Sequence, residues 1–285
     1  MPRATRFTEL VGCELPLQLA VLGGVGTAEL ALAVAAAGGL GMAPWYVDLP
    51  PGDKALGKGF LLPFASTPEE VAEHGRGVRV VEFFWGEPDP RLVEAGHAAG
   101  GVVSWQVGSL AEAKAAAAAG CDMIVVQGIE AGGHVRGREP LDRLLREVLA
   151  GVTVPVVAAG GIGTAERVAE LIDAGADGVR VGTRFLATPE CDTHPRYVQA
   201  LIAASAEDTV VTAHFDNDGA WPGPVRVLQE SLRKAVQAGN RSTAPPSGGA
   251  ADPLAMPCYA GLSVDAVTEL KPAASVVAEL TSLLA

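Results

Sequence analysis

Several things are scarce in this chain of 285 residues, and each scarcity excludes something. Basic residues are few: 21 Lys and Arg stand against 33 Asp and Glu, a formal net charge of −12. No basic stripe appears, so nucleic acid is not an expected partner. The acidic excess itself reads as a solvated, solubilising surface. Cysteine is limited to Cys13, Cys121, Cys191 and Cys258, far apart and in no CxxC pair. That spacing supports neither a disulfide framework nor a metal site, and free cytosolic thiols are expected. No apolar run is long enough to cross a bilayer, because glycines interrupt "ELALAVAAAGGLGMAP". The opening "MPRATRFTEL" lacks the apolar stretch of a secretory signal. A soluble, cytoplasmic protein without membrane or metal partners is the expectation.

Gly and Ala, by contrast, are plentiful, and short apolar runs recur after Ala-rich stretches that stop at glycine. The runs are "PLQLAVLG" (16–23), "GLGMAP" (39–44), "GKGFLLPF" (57–64), "VRVVEFFWG" (78–86), "GVVSWQVG" (101–108), "MIVVQG" (123–128), "PVVAAGG" (155–161) and "GVRVGTRF" (178–185). Near-continuous apolar character is what strands buried on both faces require. Helix signals lie between them. Thr67 with Pro68 reads as an N-cap and first position. Ser109 with Glu112 reads as a capping box closed by a stop at Gly120. Thr164 and Glu166, ending at Gly175, repeat the design. The segments after the second and fourth runs are short for helices.

Eight strand–helix units imply an α/β fold, a TIM (β/α)8 barrel with right-handed crossovers. An open doubly wound sheet is the alternative, but "GGVGTAE" matches its GxGxxG signature only in part. Residues 1–185 with 262–285 are expected to form the barrel. Residues 186–261 read as a helical and loop insertion covering the C-terminal mouth, with 240–253 as a mobile loop.

The candidate chemistry sits at strand ends. Glycines after the seventh and eighth runs suit a phosphate site built from backbone N–H groups, with Gly161, Gly182 and Thr183 as its parts. The sixth run closes on Gln127, and Gly132 and Gly133 then lead to His134. Those glycines would let the backbone lie beside a planar ligand, and His134 could exchange a proton near neutral pH. Trp45, Trp85 and Trp105 fall near strand ends, as pocket walls or as packing under loops.

"QGIEAGGH", "PVVAAGGI" and "VGTRFLATPE", in this order and spacing, resemble the nitronate monooxygenase family, formerly the 2-nitropropane dioxygenases. The flavin-dependent enoyl-acyl-carrier-protein reductases share nearly the same three motifs. The resemblance implies FMN held without covalent attachment in a TIM barrel. It implies flavin contacts from Gln127, Gly132 and the turn at Gly161, and phosphate contacts from the backbone of Arg180, Val181, Gly182 and Thr183. Ala20, Val21, Leu22 and Gly23 would lie against the isoalloxazine ring, and His134 matches the catalytic histidine. Three places depart from the pattern: "AVLGG" stands where the family commonly reads alanine–proline–methionine–glycine, Leu61 where it usually carries an asparagine, and Leu262 where many relatives carry glutamine.

The resemblance implies oxidation of a small nitronate anion by O2 to a carbonyl compound and nitrite, and leaves a homodimer open. Use of NAD(P)H to reduce an enoyl thioester or quinone is the alternative. A flavin-free phosphate-binding isomerase or lyase and a flavin binder without turnover stand behind these.

Overall fold

A computed structural model describes residues 4–52, 55–65 and 67–284. Eight parallel strands form one sheet: β1 (Leu17–Leu19), β2 (Gly41–Pro44), β3 (Leu56–Leu61), β4 (Val80–Phe84), β5 (Val102–Val107), β6 (Met123–Gln127), β8 (Val156–Ala159) and β9 (Gly178–Val181). A separate short strand, β7 (Gly133–His134), falls between the sixth and seventh of these. The order β1-β9-β8-β6-β5-β4-β3-β2 brings the two ends together. The seam is narrow, with Gln18 bridging Leu40, Leu19 N–H donating to Leu40 and Leu40 N–H donating to Leu17. The sheet is a TIM barrel, as the spacing of apolar runs predicts.

Nearly every strand residue is buried, as strands with helices outside and side chains inside must be. The surrounding helices are α2 (Ala28–Ala36), α3 (Pro68–His74), α4 (Pro90–Ala98), α5 (Leu110–Ala118), α6 (Leu141–Gly151), α7 (Ala165–Asp173) and α10 (Ala273–Thr281). No helix is described between β2 and β3, where a turn and an irregular loop run instead; a helix does form after β4. The first helix, α1 (Arg6–Val11), crosses the strands' N-terminal ends. Thr5 and Arg6 bond Asp177 just ahead of β9, while Arg79, just ahead of β4, donates to the carbonyls of Leu10 and Val11.

The helix starts follow their caps. Thr67 and Glu70 form a reciprocal capping box, and Thr164 accepts from Arg167 N–H. Ser109 accepts from Glu112 N–H, but the expected second half of its box is absent. Glu112 instead accepts from Gly108 N–H and pairs with Arg136 at 2.8 Å, so this carboxylate joins the β5–α5 turn to the loop carrying His134.

Residues 186–261 hold α8 (Pro195–Ala203), α9 (Gln229–Ala238), β10 (Thr209–Thr212) and β11 (Val225–Leu228). With β7, the two strands form a small antiparallel sheet in the order β10-β11-β7. Val225 faces His134 and Arg226 faces Gly133 across it. The stretch 240–253 is irregular yet tied down: Asn240 bonds Ala255 and His214, and Ser247 bridges Thr193.

Candidate active site

A cavity of about 410 Å³ opens at the C-terminal ends of the barrel strands. That is within the usual range for a cofactor or small-ligand pocket. Ala20, Val21, Leu22 and Gly23 line it beyond β1, with Leu61, Gln127, Gly132, His134, Gly161, Arg180, Gly182 and Thr183. Val181 does not. Successive strand residues point to opposite faces, so Arg180 and Gly182 turn inward while Val181 is buried on the outer side.

One wall carries backbone donors without partners. Gly161 has φ +67°, and an added Cβ would lie 2.9 Å from Glu130 Cβ. Beyond β9, Gly182 precedes a 3₁₀ turn, Thr183–Ala187. Among the described residues, the N–H groups of Gly161 and Gly182 donate to nothing in the chain. Thr183 Oγ1 accepts from Gly261 N–H at 3.0 Å, leaving its own proton to donate. Uncommitted N–H groups, glycines and a hydroxyl at one end of a pocket walled by Val21, Leu22 and Leu61 fit a phosphorylated planar ligand.

The loop beyond β6 is fixed by Gln127. Its Nε2 donates to the His134 carbonyl at 2.9 Å, and its Oε1 accepts from Arg136 N–H at 2.8 Å. The amide is thus largely spent on closing the turn, leaving one N–H and one lone pair for a ligand. Gly132 lines the cavity, and packing requires a glycine there as well. A Cβ there would stand 2.5 Å from Gly261 N and 2.7 Å from Ala260 C, so chain packing demands the glycine. Gly133 has φ +70° and open space around it, a conformational requirement.

His134 is held among aromatic rings. Trp221 stacks on it with centroids 3.7 Å apart and planes tilted by 31°; Tyr259 lies at 5.6 Å and Trp85 at 6.5 Å. Its Nδ1 is buried without a partner. Burial pushes the imidazole pKa down to about 3, so the ring is neutral at pH 7. That lies well below the near-neutral range in which the sequence places its proton exchange. Trp85 sits behind it at φ 64°, with Arg136 over its ring and Gly223 notched against it. Among the three expected tryptophans, Trp45 lines the cavity, Trp85 packs with Trp221 and Phe215, and Trp105 is in the barrel core.

The cavity floor is polar. Arg180 pairs with Glu82 at 2.6 Å, the two side chains 7% and 1% exposed. Gln106 accepts from Arg180, while Gln18 and Ser104 donate to Glu82 at 2.8 and 3.3 Å. Neither this network nor Trp221 and Tyr259 entered the reading of the sequence. The available signal was the presence of Glu82, Gln106 and Arg180 inside strands otherwise continuously apolar. No cluster of three or more potential metal ligands occurs among the described residues. No described helix is long and apolar enough to cross a membrane.

A TIM barrel whose last two strand ends turn uncommitted N–H groups toward a cavity that is also lined by a histidine ringed by aromatics has the layout of a cofactor-using barrel enzyme. Comparison with known proteins narrows the class. The family model described as nitronate monooxygenase matches residues 69–282, and the chain belongs to that family of flavin-dependent oxidoreductases. It is 34% identical over 254 residues to a Mycobacterium tuberculosis protein named (3aS,4S,5R,7aS)-5-hydroxy-7a-methyl-1-oxo-octahydro-1H-indene-4-carboxyl-CoA dehydrogenase, covering 84% of this chain and 70% of that one. A nitronate monooxygenase from Pseudomonas aeruginosa is 29% identical, with 81% and 83% covered. Among solved structures, FabK from Thermotoga maritima superposes with a TM-score of 0.81 at 28% identity, over 98% of this chain and 96% of that one. A nitroalkane oxidase from Streptomyces ansochromogenes gives 0.79 at 26%, over 98% of both.

Proposed function

We propose that the chain binds FMN in this cavity and oxidises small nitronates or their parent nitroalkanes, with O2 as co-substrate, in the cytoplasm. The observation that carries the reading is a neutral, aromatic-caged His134 lining the same cavity as an uncommitted N–H cradle. The cradle of Gly161, Gly182 and Thr183 would hold the FMN phosphate, with Ala20–Gly23 against the ring. When bound, FMN supplies the redox chemistry.

The chain's own residues handle position and protons. Nδ1 of His134 is buried, and Nε2, which bonds no described group, is the nitrogen left to the cavity. Acting as base at Nε2 requires the neutral ring to carry its proton on Nδ1. Desolvation disfavours the imidazolium in the empty cavity, but a nitronate formed beside it supplies the counter-charge, so the α-proton of a neutral nitroalkane passes to Nε2 and the two products are held as an ion pair. Trp221 and Tyr259 keep water from the ring and hold its plane. Residues 186–261 act as a cover that governs which substrate enters, since Tyr197, Thr243, Ala244, Pro245 and Tyr259 line the cavity.

The test is anaerobic. The FMN-loaded protein is mixed with propyl-2-nitronate, and separately with NADH or NADPH, while the oxidised flavin band is followed. Bleaching by nitronate alone, with nitrite released in air, is expected. His134→Asn should lower kcat/KM for the neutral nitroalkane by about 10²-fold or more, and less for the preformed nitronate.

A second reading, an NAD(P)H-linked reductase of an enoyl thioester or quinone, draws on one observation. Tyr46 and Phe64 line the cavity yet are 53% and 45% exposed, an apolar rim suited to a larger substrate. Bleaching only by a nicotinamide cofactor would select it.

A further inference from the structure

The ion pair on the cavity floor has an open side. Arg180 uses Nη1 toward Glu82 and Gln106, and none of its hydrogen bonds among the described residues uses Nε or Nη2. Gln106 spends its Oε1 on Arg180, and its Nε2 donates to no described group. Both side chains are more than nine-tenths buried, and both line the cavity. Glu82 has no comparable freedom: Oε1 meets Arg180, and Oε2 accepts from Gln18 and Ser104. The floor therefore offers the cavity donors from Arg180 and Gln106, backed by a carboxylate already engaged through both oxygens.

Such an arrangement is expensive to maintain for stability alone. A buried ion pair commonly contributes no more than well-packed apolar residues of the same volume, because desolvation offsets the attraction. Unpartnered donors on buried side chains call for an acceptor. The acceptor must be planar or compact and rich in oxygen lone pairs, reached from within the cavity. The carbonyl edge of a flavin ring meets that description, and so does an oxygen of the substrate.

We infer that Arg180 and Gln106 position the oxygen edge of the bound flavin ring, with Glu82 as the counter-charge that orients the guanidinium and tempers its pull on the reduced ring. This rests on the FMN reading above. A fixed cation beside a ring that gains negative charge on reduction favours the reduced form, and a neighbouring carboxylate opposes it. Removing Glu82's charge should raise the flavin's reduction potential. Removing the donors should lower it and loosen the ring.

Two variants test this on the FMN-loaded protein. Glu82→Gln keeps the shape and removes the negative charge. The double variant Arg180→Met with Glu82→Gln removes the pair together, so no lone charge is left buried. Midpoint potentials are read by equilibration with a reference dye, FMN affinity by fluorescence quenching, and folding by circular dichroism. Glu82→Gln is expected to shift the equilibrium toward reduced flavin by about tenfold, roughly +30 mV for a two-electron couple. The double variant is expected to shift it about tenfold the other way, or to bind FMN at least tenfold more weakly while still folded. Potentials and affinities within threefold of the parent in both folded variants would overturn the inference. A change in nitronate KM alone would assign the floor to substrate instead, which also overturns it. Failure of the parent protein to bind FMN would refute the underlying reading, an outcome visible before any variant is made.

Discussion

Acid should destabilise this protein through His134, and the amount can be worked out. The folded imidazole takes a proton only near pH 3 because it is buried, whereas an unfolded histidine does so near 6.5. Between those values the unfolded chain binds more protons, so stability rises with pH and is lost as pH falls through 6.5. Integrating the linkage from pH 7.5 to 5 gives a loss of about 2 kcal/mol from this one ring, at 1.36 kcal/mol per unit of pH once titration of the unfolded form is complete. Carboxylates also titrate in acid, so the clean measurement is a difference. His134→Phe retains an aromatic ring against Trp221 and removes the titrating group. Urea unfolding of both proteins at pH 7.5, 6.5, 5.5 and 5.0 should show the parent losing about 2 kcal/mol more than the variant. Parallel stability curves would refute the reasoning, for they would mean that the ring is protonated in the folded protein or reached freely by solvent.

Three further substitutions probe the frame. Gly161→Ala places a Cβ at φ +67° and 2.9 Å from Glu130 Cβ, which should cost about 1–2 kcal/mol in thermal unfolding and weaken FMN binding at least tenfold in a quenching titration. Asp177→Asn breaks the paired bonds from Arg6 to a carboxylate that also accepts from Val156 N–H. A loss of about 1–3 kcal/mol in urea unfolding is expected, with the site unaffected. Gly223→Ala would put a Cβ 1.9 Å from Trp85, displacing the ring behind His134. It should change the near-ultraviolet circular dichroism and destabilise by about 1–3 kcal/mol.

The barrel was legible because its signals are local. Continuous apolar runs marked all eight barrel strands, and Thr67 and Thr164 marked helix starts, since strand burial and N-caps are decided within a few residues. The glycines at 161 and 182 could be read as strand-end turns for the same reason. What escaped depends on contacts distant in the chain. Nothing near His134 announces that Val225 will pair with it or that Trp221 will stack on it. Glu82 and Arg180 lie on strands separated by most of the barrel's sequence, so only closure makes them partners. Glu112 looked like half of a capping box because spacing alone cannot tell whether Ser109 or Arg136 will claim a carboxylate. The neutrality of His134 was hidden likewise, since it comes from rings supplied by three separate segments.

The narrow seam at β1 bears on how the molecule is made. Leu17–Leu19 pairs on one side with Gly178–Val181, and on the other, among the described residues, its backbone bonds only Leu40. A chain emerging in order from a ribosome presents β1 long before β9 exists. One edge of the first strand therefore stays unsatisfied while some 160 residues are added, a long loop to close and an open template for wrong pairing. Closure then completes several features at once, because Arg180 arrives on β9 to meet Glu82, and Gly182 follows beside Ala20. Folding of the last barrel strand and assembly of the cofactor floor are the same event, so a nascent chain halted before residue 178 would have neither.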